Sequence, residues 1–214
     1  MMIDCMVRTY MSSPQILPIH TRKMVAPAPR TSNLSALLQS APTIGDVKLV
    51  RDSTYALSRL RHLNEAEVIT MFTPLVPHPP GSPLARNMDP FEPLGRALPR
   101  QVRHVPYRLD IGMTETHVDF LSASGAILIV ICSPDNVLEY DPGASDSQSR
   151  FAKNILKKVA EDPSLVNVPI VLLVVSNSTK QLHEYGVDDF ATLVSLTDYT
   201  ADALTNAARL LFGK

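Results

Sequence analysis

Two stretches of this chain carry no polar side chain: Ala126–Cys132 and residues 169–175. Apolar runs this short suit strands covered on both faces, because a half-exposed strand alternates apolar and polar positions. Polar turn residues follow each run, and a helix-like stretch comes after the turn. Residues 133–147 are turn-rich. Phe151, Ile155, Leu156 and Val159 then fall at helical spacing, with Lys153, Lys157 and Lys158 left for solvent. Residues 190–196 read as a third strand. Asp198 or Thr200 is placed to cap a last helix whose inward side is Leu204, Ala207, Ala208 and Leu211. Upstream, Val105, Tyr107, Leu109 and Ile111 alternate with Pro106, Arg108 and Asp110, which predicts a half-buried strand ended by Gly112. Strands alternating with helices predict a mostly parallel sheet in a three-layer α/β fold.

The first hundred residues are less regular. Residues 1–45 read as a disordered arm, since Pro14, Pro18, Pro27 and Pro29 interrupt any amphipathic helix. The arm has no acidic residue between Cys5 and Gly45, a faint likeness to a transit peptide. Ala56, Leu60 and Leu63 predict a helix over 53–63, capped by Asp52 or Ser53. A second short helix is expected over 65–72. Pro74, Pro77, Pro79, Pro80, Pro83, Pro90, Pro93 and Pro99 then crowd residues 73–104. That density argues against regular helix or central strand and predicts a linker. The ordered core is expected at 105–214.

Composition narrows the function classes. The formal net charge of -1 gives no electrostatic footprint for nucleic acid. The 2 cysteines, Cys5 and Cys132, are too few and too far apart for a disulfide framework. No apolar run approaches the roughly 20 residues of a membrane-spanning helix. Position 2 is Met, so the chain lacks the glycine of an N-myristoylation signal. Cys5, a lone cysteine near the first residue, is read as a candidate for acylation on its position alone. The 6 histidines show no zinc-ligand spacing.

Four blocks carry a resemblance. Residues 107–114 read YRLDIGMT, 124–140 read SGAILIVICSPDNVLEY, 168–182 read VPIVLLVVSNSTKQL, and 195–199 read SLTDY. Their order and spacing resemble a heterotrimeric G-protein alpha subunit, a Ras-like G domain, from switch II onward. Residues 52–60, DSTYALSRL, resemble a helix of that family's helical domain, so 46–72 is expected to be its remnant. The resemblance implies a GTPase of receptor-coupled signalling, with GTP or GDP and Mg²⁺ as ligands. It implies a βγ dimer and a receptor as partners, and a cytoplasmic place, free or peripheral at the plasma membrane. Carried over by position, Asp110 and Thr73 stand for the Mg²⁺-holding residues. Gly112 and Met113 stand for the switch II glycines beside the γ-phosphate, and Thr114 for the glutamine that orients the attacking water. Asn177 and Lys180 fall where guanine is read, and Leu196 and Thr197 fall in the base-binding loop.

The chain departs from that family at the points that matter most. No GxxxxGK[ST] phosphate loop occurs, Met113 replaces a glycine, and no Asp follows Asn177 at the guanine-reading position. The G domain is therefore expected to be incomplete, without its first strand. Charge-assisted hydrogen bonds contribute about 1.5–3 kcal/mol each, so losing four removes roughly 6–12 kcal/mol of phosphate binding. The expectation is a protein that neither grips GTP nor hydrolyses it. Two readings follow: a signalling GTPase, or a non-enzymatic pseudo-GTPase interaction module. A lesser one is a receiver-like domain, from GVDDF at 186–190, though the acidic pair and lysine of that chemistry are missing.

Overall fold

The computed structural model describes residues 43–44, 46–85, 87–177 and 186–213, all within one unit, 33–214. The expectations for residues 1–42 and for Lys180 concern positions outside the described residues. The elements run β1 (Thr43–Ile44), β2 (Val47–Asp52), α1 (Ala56–Arg61), β3 (Val68–Pro74), α2 (Glu92–Ala97), β4 (Gln101–Tyr107), α3 (Glu115–Ser122), β5 (Ala126–Cys132), α4 (Asp135–Tyr140), α5 (Ala144–Glu161), β6 (Ile170–Val175), β7 (Thr192–Leu196) and α6 (Ala201–Phe212). Short 3₁₀ turns occupy Pro163–Leu165 and Val187–Asp189.

The sheet has 7 strands in the order β1-β2-β7-β6-β5-β3-β4. From β7 to β4 all neighbours are parallel, while β2 joins β7 and β1 joins β2 antiparallel. Counted from β3, the parallel strands follow the doubly wound order 2-1-3-4-5. The expected mostly parallel α/β sheet is present, with an antiparallel hairpin added at one edge. Every residue of β5 is buried, as a continuous apolar run demands. Alternate strand residues feed two cores. One face of the sheet packs against Leu57 and Leu60 of α1, Leu94 of α2 and Leu204, Ala207 and Leu211 of α6. The other packs against Leu121 of α3 and Phe151, Ile155 and Val159 of α5. Helices therefore cover both faces, giving three layers.

Several expectations are corrected. Residues 65–72 hold most of β3 rather than a helix. The run Val68, Ile69, Thr70, Met71, Phe72, Thr73 is β-favouring, and Ile69–Thr73 is buried on both faces. The sheet thus has its central strand, and the expectation of a missing one fails. Residues 46–72 are no remnant of a separate helical domain, because β2 and β3 both belong to this sheet. The expected linker, 73–104, contains the end of β3, α2 and the start of β4. Pro74 is tolerated as the last residue of its strand, and Pro106 lies in β4, which is an edge strand. The strand expected to run to Ile111 stops at Tyr107. The cap expected at Asp52 or Ser53 is instead Tyr55, a non-glycine in the left-handed region (φ 56°) with no side-chain cap bond. Thr200 does cap the last helix, its hydroxyl 3.5 Å from the Ala203 N–H.

One feature of register shapes the functional edge. β3 and β5 pair only from Ile69/Ala126 to Phe72/Ile129. Beyond that point, β5 stays paired with β6 as far as Cys132. The backbone groups freed on β5 are taken by side chains. The Tyr107 hydroxyl donates to the Val130 carbonyl at 3.0 Å. Gln148 of α5 accepts the Cys132 N–H at 2.6 Å and donates to the Cys132 carbonyl at 2.8 Å. Tyr107 also stacks on Phe151, with centroids 3.7 Å apart and planes at 5°. Gln148→Leu keeps the volume but leaves two buried backbone groups unpaired, at about 1–3 kcal/mol each. Chemical unfolding is expected to show a loss of about 2–6 kcal/mol; no loss would mean that the Gln148 bonds do not hold the end of β5.

Candidate functional site

In doubly wound folds, ligands bind outside the carboxyl ends of the parallel strands, at the point where strand order reverses. Here that point lies between β3 and β5. The crevice beneath it is filled by Tyr107 and Gln148, as described above. The open space lies further along the same edge. A cleft of about 470 Å³ is lined by Pro79 and Pro80 after β3, Asp135, Asn136 and Glu139 after β5, Asn177 after β6, and Thr197, Asp198 and Tyr199 after β7.

A strap made by the residues after β3 crosses this edge. The Tyr199 hydroxyl donates to the Pro77 carbonyl at 2.9 Å. Asn136 donates to the Tyr199 oxygen at 2.7 Å and lies 3.4 Å from the His78 carbonyl. The ring of Tyr199 is 2% exposed and stacks on Phe91 at 5.9 Å. Burial pushes its phenol far above the usual tyrosine range, and the bond from Asn136 offsets only part of that rise. Tyr199 thus stays neutral and works as a fixed hydrogen-bonding post joining three loops.

The predicted site residues divide into two groups and one outlier. Asn177 and Thr197 do meet in the cleft, where Asn177 donates to Asp135 at 2.9 Å. Leu196 is the last residue of β7 and is fully buried, with its carbonyl accepting the Ser176 N–H. Asp110, Gly112, Met113 and Thr114 sit after β4 and line other depressions, beside α3 and α5. Asp110 is clamped by Arg108 through bonds of 3.0 and 2.7 Å on the exposed surface. That side-chain bond holds its carboxyl below the usual range. Gly112 has φ 73°, which suits glycine in the tight turn before α3. Thr114 is the N-cap of α3, and its N–H and hydroxyl lie 3.0 and 2.7 Å from Nδ1 of His117. Burial lowers the His117 pKa, with a bond to the Pro106 carbonyl opposing. The neutral imidazole then accepts from Thr114, so the threonine hydroxyl is committed to a helix cap. Thr73 is wholly buried, with its hydroxyl 2.7 Å from Nε2 of His104. That hydroxyl is committed to the imidazole of the neighbouring strand. Among the described residues, no group of three or more His, Cys, Asp or Glu side chains is arranged to hold a metal ion.

Sequence reading missed Tyr199, Asn136 and Gln148. The prolines after β3 signalled an irregular segment but not its path across the strand ends. Asn136 sits inside the 124–140 block singled out above, yet only its long-range partners show its role.

No protein-family model matches this chain, and none of the curated proteins matches it. Among solved structures, a glycoside hydrolase family 3 β-N-acetylglucosaminidase from Paenibacillus sp. str. FPU-7 is similar at 14% identity and a TM-score of 0.46. The match covers 94% of this chain and 34% of that one, so the chain spans about a third of the length of that protein. A likeness of this size carries no functional argument. The fold and site define a doubly wound α/β protein with an occluded switch point and a cleft under a proline-rich strap. Among the described residues, no helix is long and apolar enough to cross a membrane.

Removing the Tyr199 hydroxyl leaves the Pro77 carbonyl and the Asn136 amide without their shared partner. Tyr199→Phe is expected to lower unfolding stability by about 1–3 kcal/mol. It should also raise proteolytic cutting between positions 75 and 85, read by mass spectrometry. An unchanged cutting pattern would show that the strap is held by other means.

Proposed function

We propose that this protein is a non-hydrolysing interaction module on a G-domain-like scaffold, a pseudo-GTPase. The observation that carries the reading is the chemistry of the segment after β3. In a doubly wound sheet the phosphate-binding turn follows the first parallel strand, which here is β3. Such a loop works by aiming several backbone N–H groups and a lysine at the anion. Here Pro77, Pro79 and Pro80 have no N–H to aim, and the carbonyls of Pro77 and His78 are the groups that make contact. The facing wall adds Asp135, Glu139 and Asp198. An edge rich in acceptors and carboxylates repels a triphosphate. The residues present do not fit Mg²⁺–GTP or Mg²⁺–GDP, and no catalytic step is derived through either.

The element order supports the scaffold half of this reading. A strand, Asp110-x-Gly112, a buried strand, a long helix, a buried strand, an Asn turn, a strand and a helix follow in the order the resemblance implies. In this reading the βγ-type and receptor-type partners of the family are met by the protein surface with no nucleotide switch, in the cytoplasm or at the membrane periphery.

The strand order also favours a second reading. The 2-1-3-4-5 arrangement is that of flavodoxin-like and receiver domains. Receiver chemistry lacks its residues here: Leu75 and Val76, not an acidic pair, follow β3, and Thr197 and Asp198, not a lysine, follow β7.

Titration of the full chain with labelled GTP and Mg²⁺ is expected to give no saturable binding up to about 1 mM, a ceiling of about -4 kcal/mol. Phosphate release is expected to stay at the blank rate. A dissociation constant below micromolar, or phosphate release above the blank, would overturn the reading.

A further inference from the structure

Away from the cleft, the segment before α2 meets the β3–β4 edge at a small group of titratable side chains. His104 of β4 is the centre. Its Nε2 lies 2.7 Å from Thr73 Oγ1 and 3.6 Å from Asp89 Oδ1, and its Nδ1 lies 3.6 Å from Glu92 Oε2. The imidazole is 18% exposed and Asp89 15%. The charged and titratable groups facing this centre come from each element packed on it. The loop gives Asp89 and His78, and α2 gives Glu92, itself paired with Arg96 at 3.0 Å. Asp89 Oδ1 also accepts the Phe91 N–H at 2.8 Å, which fixes the start of α2. Asp89 Oδ2 and His78 Nδ1 are buried without a partner.

The proton count on His104 decides how many of these groups it can serve. A neutral imidazole has one N–H and one acceptor, whereas a charged one donates from both nitrogens. At 3.6 Å the two carboxylates are within ion-pair reach but outside hydrogen-bond range. They are placed to close in on a positive ring and have little reason to close in on a neutral one. We propose that His104 is a proton-operated latch, drawing Asp89 and Glu92 onto β4 when charged and letting the start of α2 loosen when neutral.

The pH window follows from the groups. Histidine is the side chain whose charge ordinarily changes between about pH 5 and 8. The latch is engaged wherever the ring carries its second proton. Burial raises the Asp89 carboxyl above its usual range, outweighing the Phe91 N–H and the attraction of His104. A raised carboxyl favours the fold below its unfolded pKa and loses that advantage as pH rises. The ionised Asp89 is therefore a cost near neutrality, and a charged His104 reduces it.

Amide hydrogen exchange on the full chain tests the latch. The amides to follow are Leu94, Gly95 and Leu98, which bond within α2. After correction for intrinsic rates, their protection is expected to be about two- to five-fold higher at pH 6 than at pH 8, the range of a partly exposed ion pair. Protection of Ile129 and Leu173, in the central strands, should not follow. In His104→Gln the α2 difference should vanish. Because that variant removes a half-buried ring from β4, Glu92→Gln on α2 serves as a second one and should shrink the difference without unfolding the protein. Equal protection at both pH values in the natural chain would overturn the proposal. So would a difference that survives both substitutions.

Discussion

The divergence of β3 from β5 beyond Phe72 and Ile129 is the constraint on which the functional edge depends. A central strand that loses its neighbour inside a dry core exposes backbone groups that must be paired. The Val130 carbonyl and both polar groups of Cys132 meet that demand through Tyr107 and Gln148. Two consequences follow. The bidentate Gln148 bond ties α5 to the end of β5, which fixes the second helical layer against the sheet. The Tyr107–Phe151 stack then closes the space between the parted strands. A crevice that other doubly wound proteins leave for a ligand is here part of the core. The same low-dielectric surroundings push the Tyr107 phenol and the Cys132 thiol well above their usual ranges, so both stay neutral.

The parts of the fold legible in the sequence are those where one physical rule acts alone. β5 and β6 are covered on both faces, and their unbroken apolar runs say so. α5 and α6 each bury one stripe, and Phe151, Ile155, Leu204 and Leu211 mark it. β7, TLVSL, carries two polar residues and was legible only as part of the broader stretch 190–196. The structure departs from the pattern where two rules compete. Val68–Pro74 contains two threonines whose polarity hides a buried strand. Thr70 and Thr73 are both wholly buried, and each hydroxyl finds a partner, on Ser124 and His104 respectively. Prolines argued against regular structure from position 73 onward, yet an edge strand and a strand end tolerate them.

The site was half legible. Asn177 and Thr197 were placed at the ends of buried strands, and any parallel sheet brings such positions to one edge. Asp110 and Thr114 lay at the end of a strand too, but their local partners decide their roles. Arg108 is two residues from Asp110, and His117 is three from Thr114. Such short-range bonds could have been weighed from spacing, since a residue at N3 of a helix is placed to meet its N-cap. The Tyr199–Pro77 and Asn136–Tyr199 bonds span separations that no local pattern encodes. They exist only because the sheet order sets the three loops side by side.

Proline explains how the strap can lie on the strand ends at all. A chain segment laid over a partly dry surface must account for every N–H and C=O it carries. Each proline removes one donor from that account, leaving carbonyls to be served by Tyr199 and Asn136. The side chains beneath follow the same logic: a phenol and an amide supply N–H and O–H groups upward, and Asn177 is turned sideways to Asp135. This polarity is opposite to that of an anion cradle, where the loop donates and the ligand accepts. A single substitution cannot reverse it, because the direction is written into the backbone of the strap and into three separate loops at once.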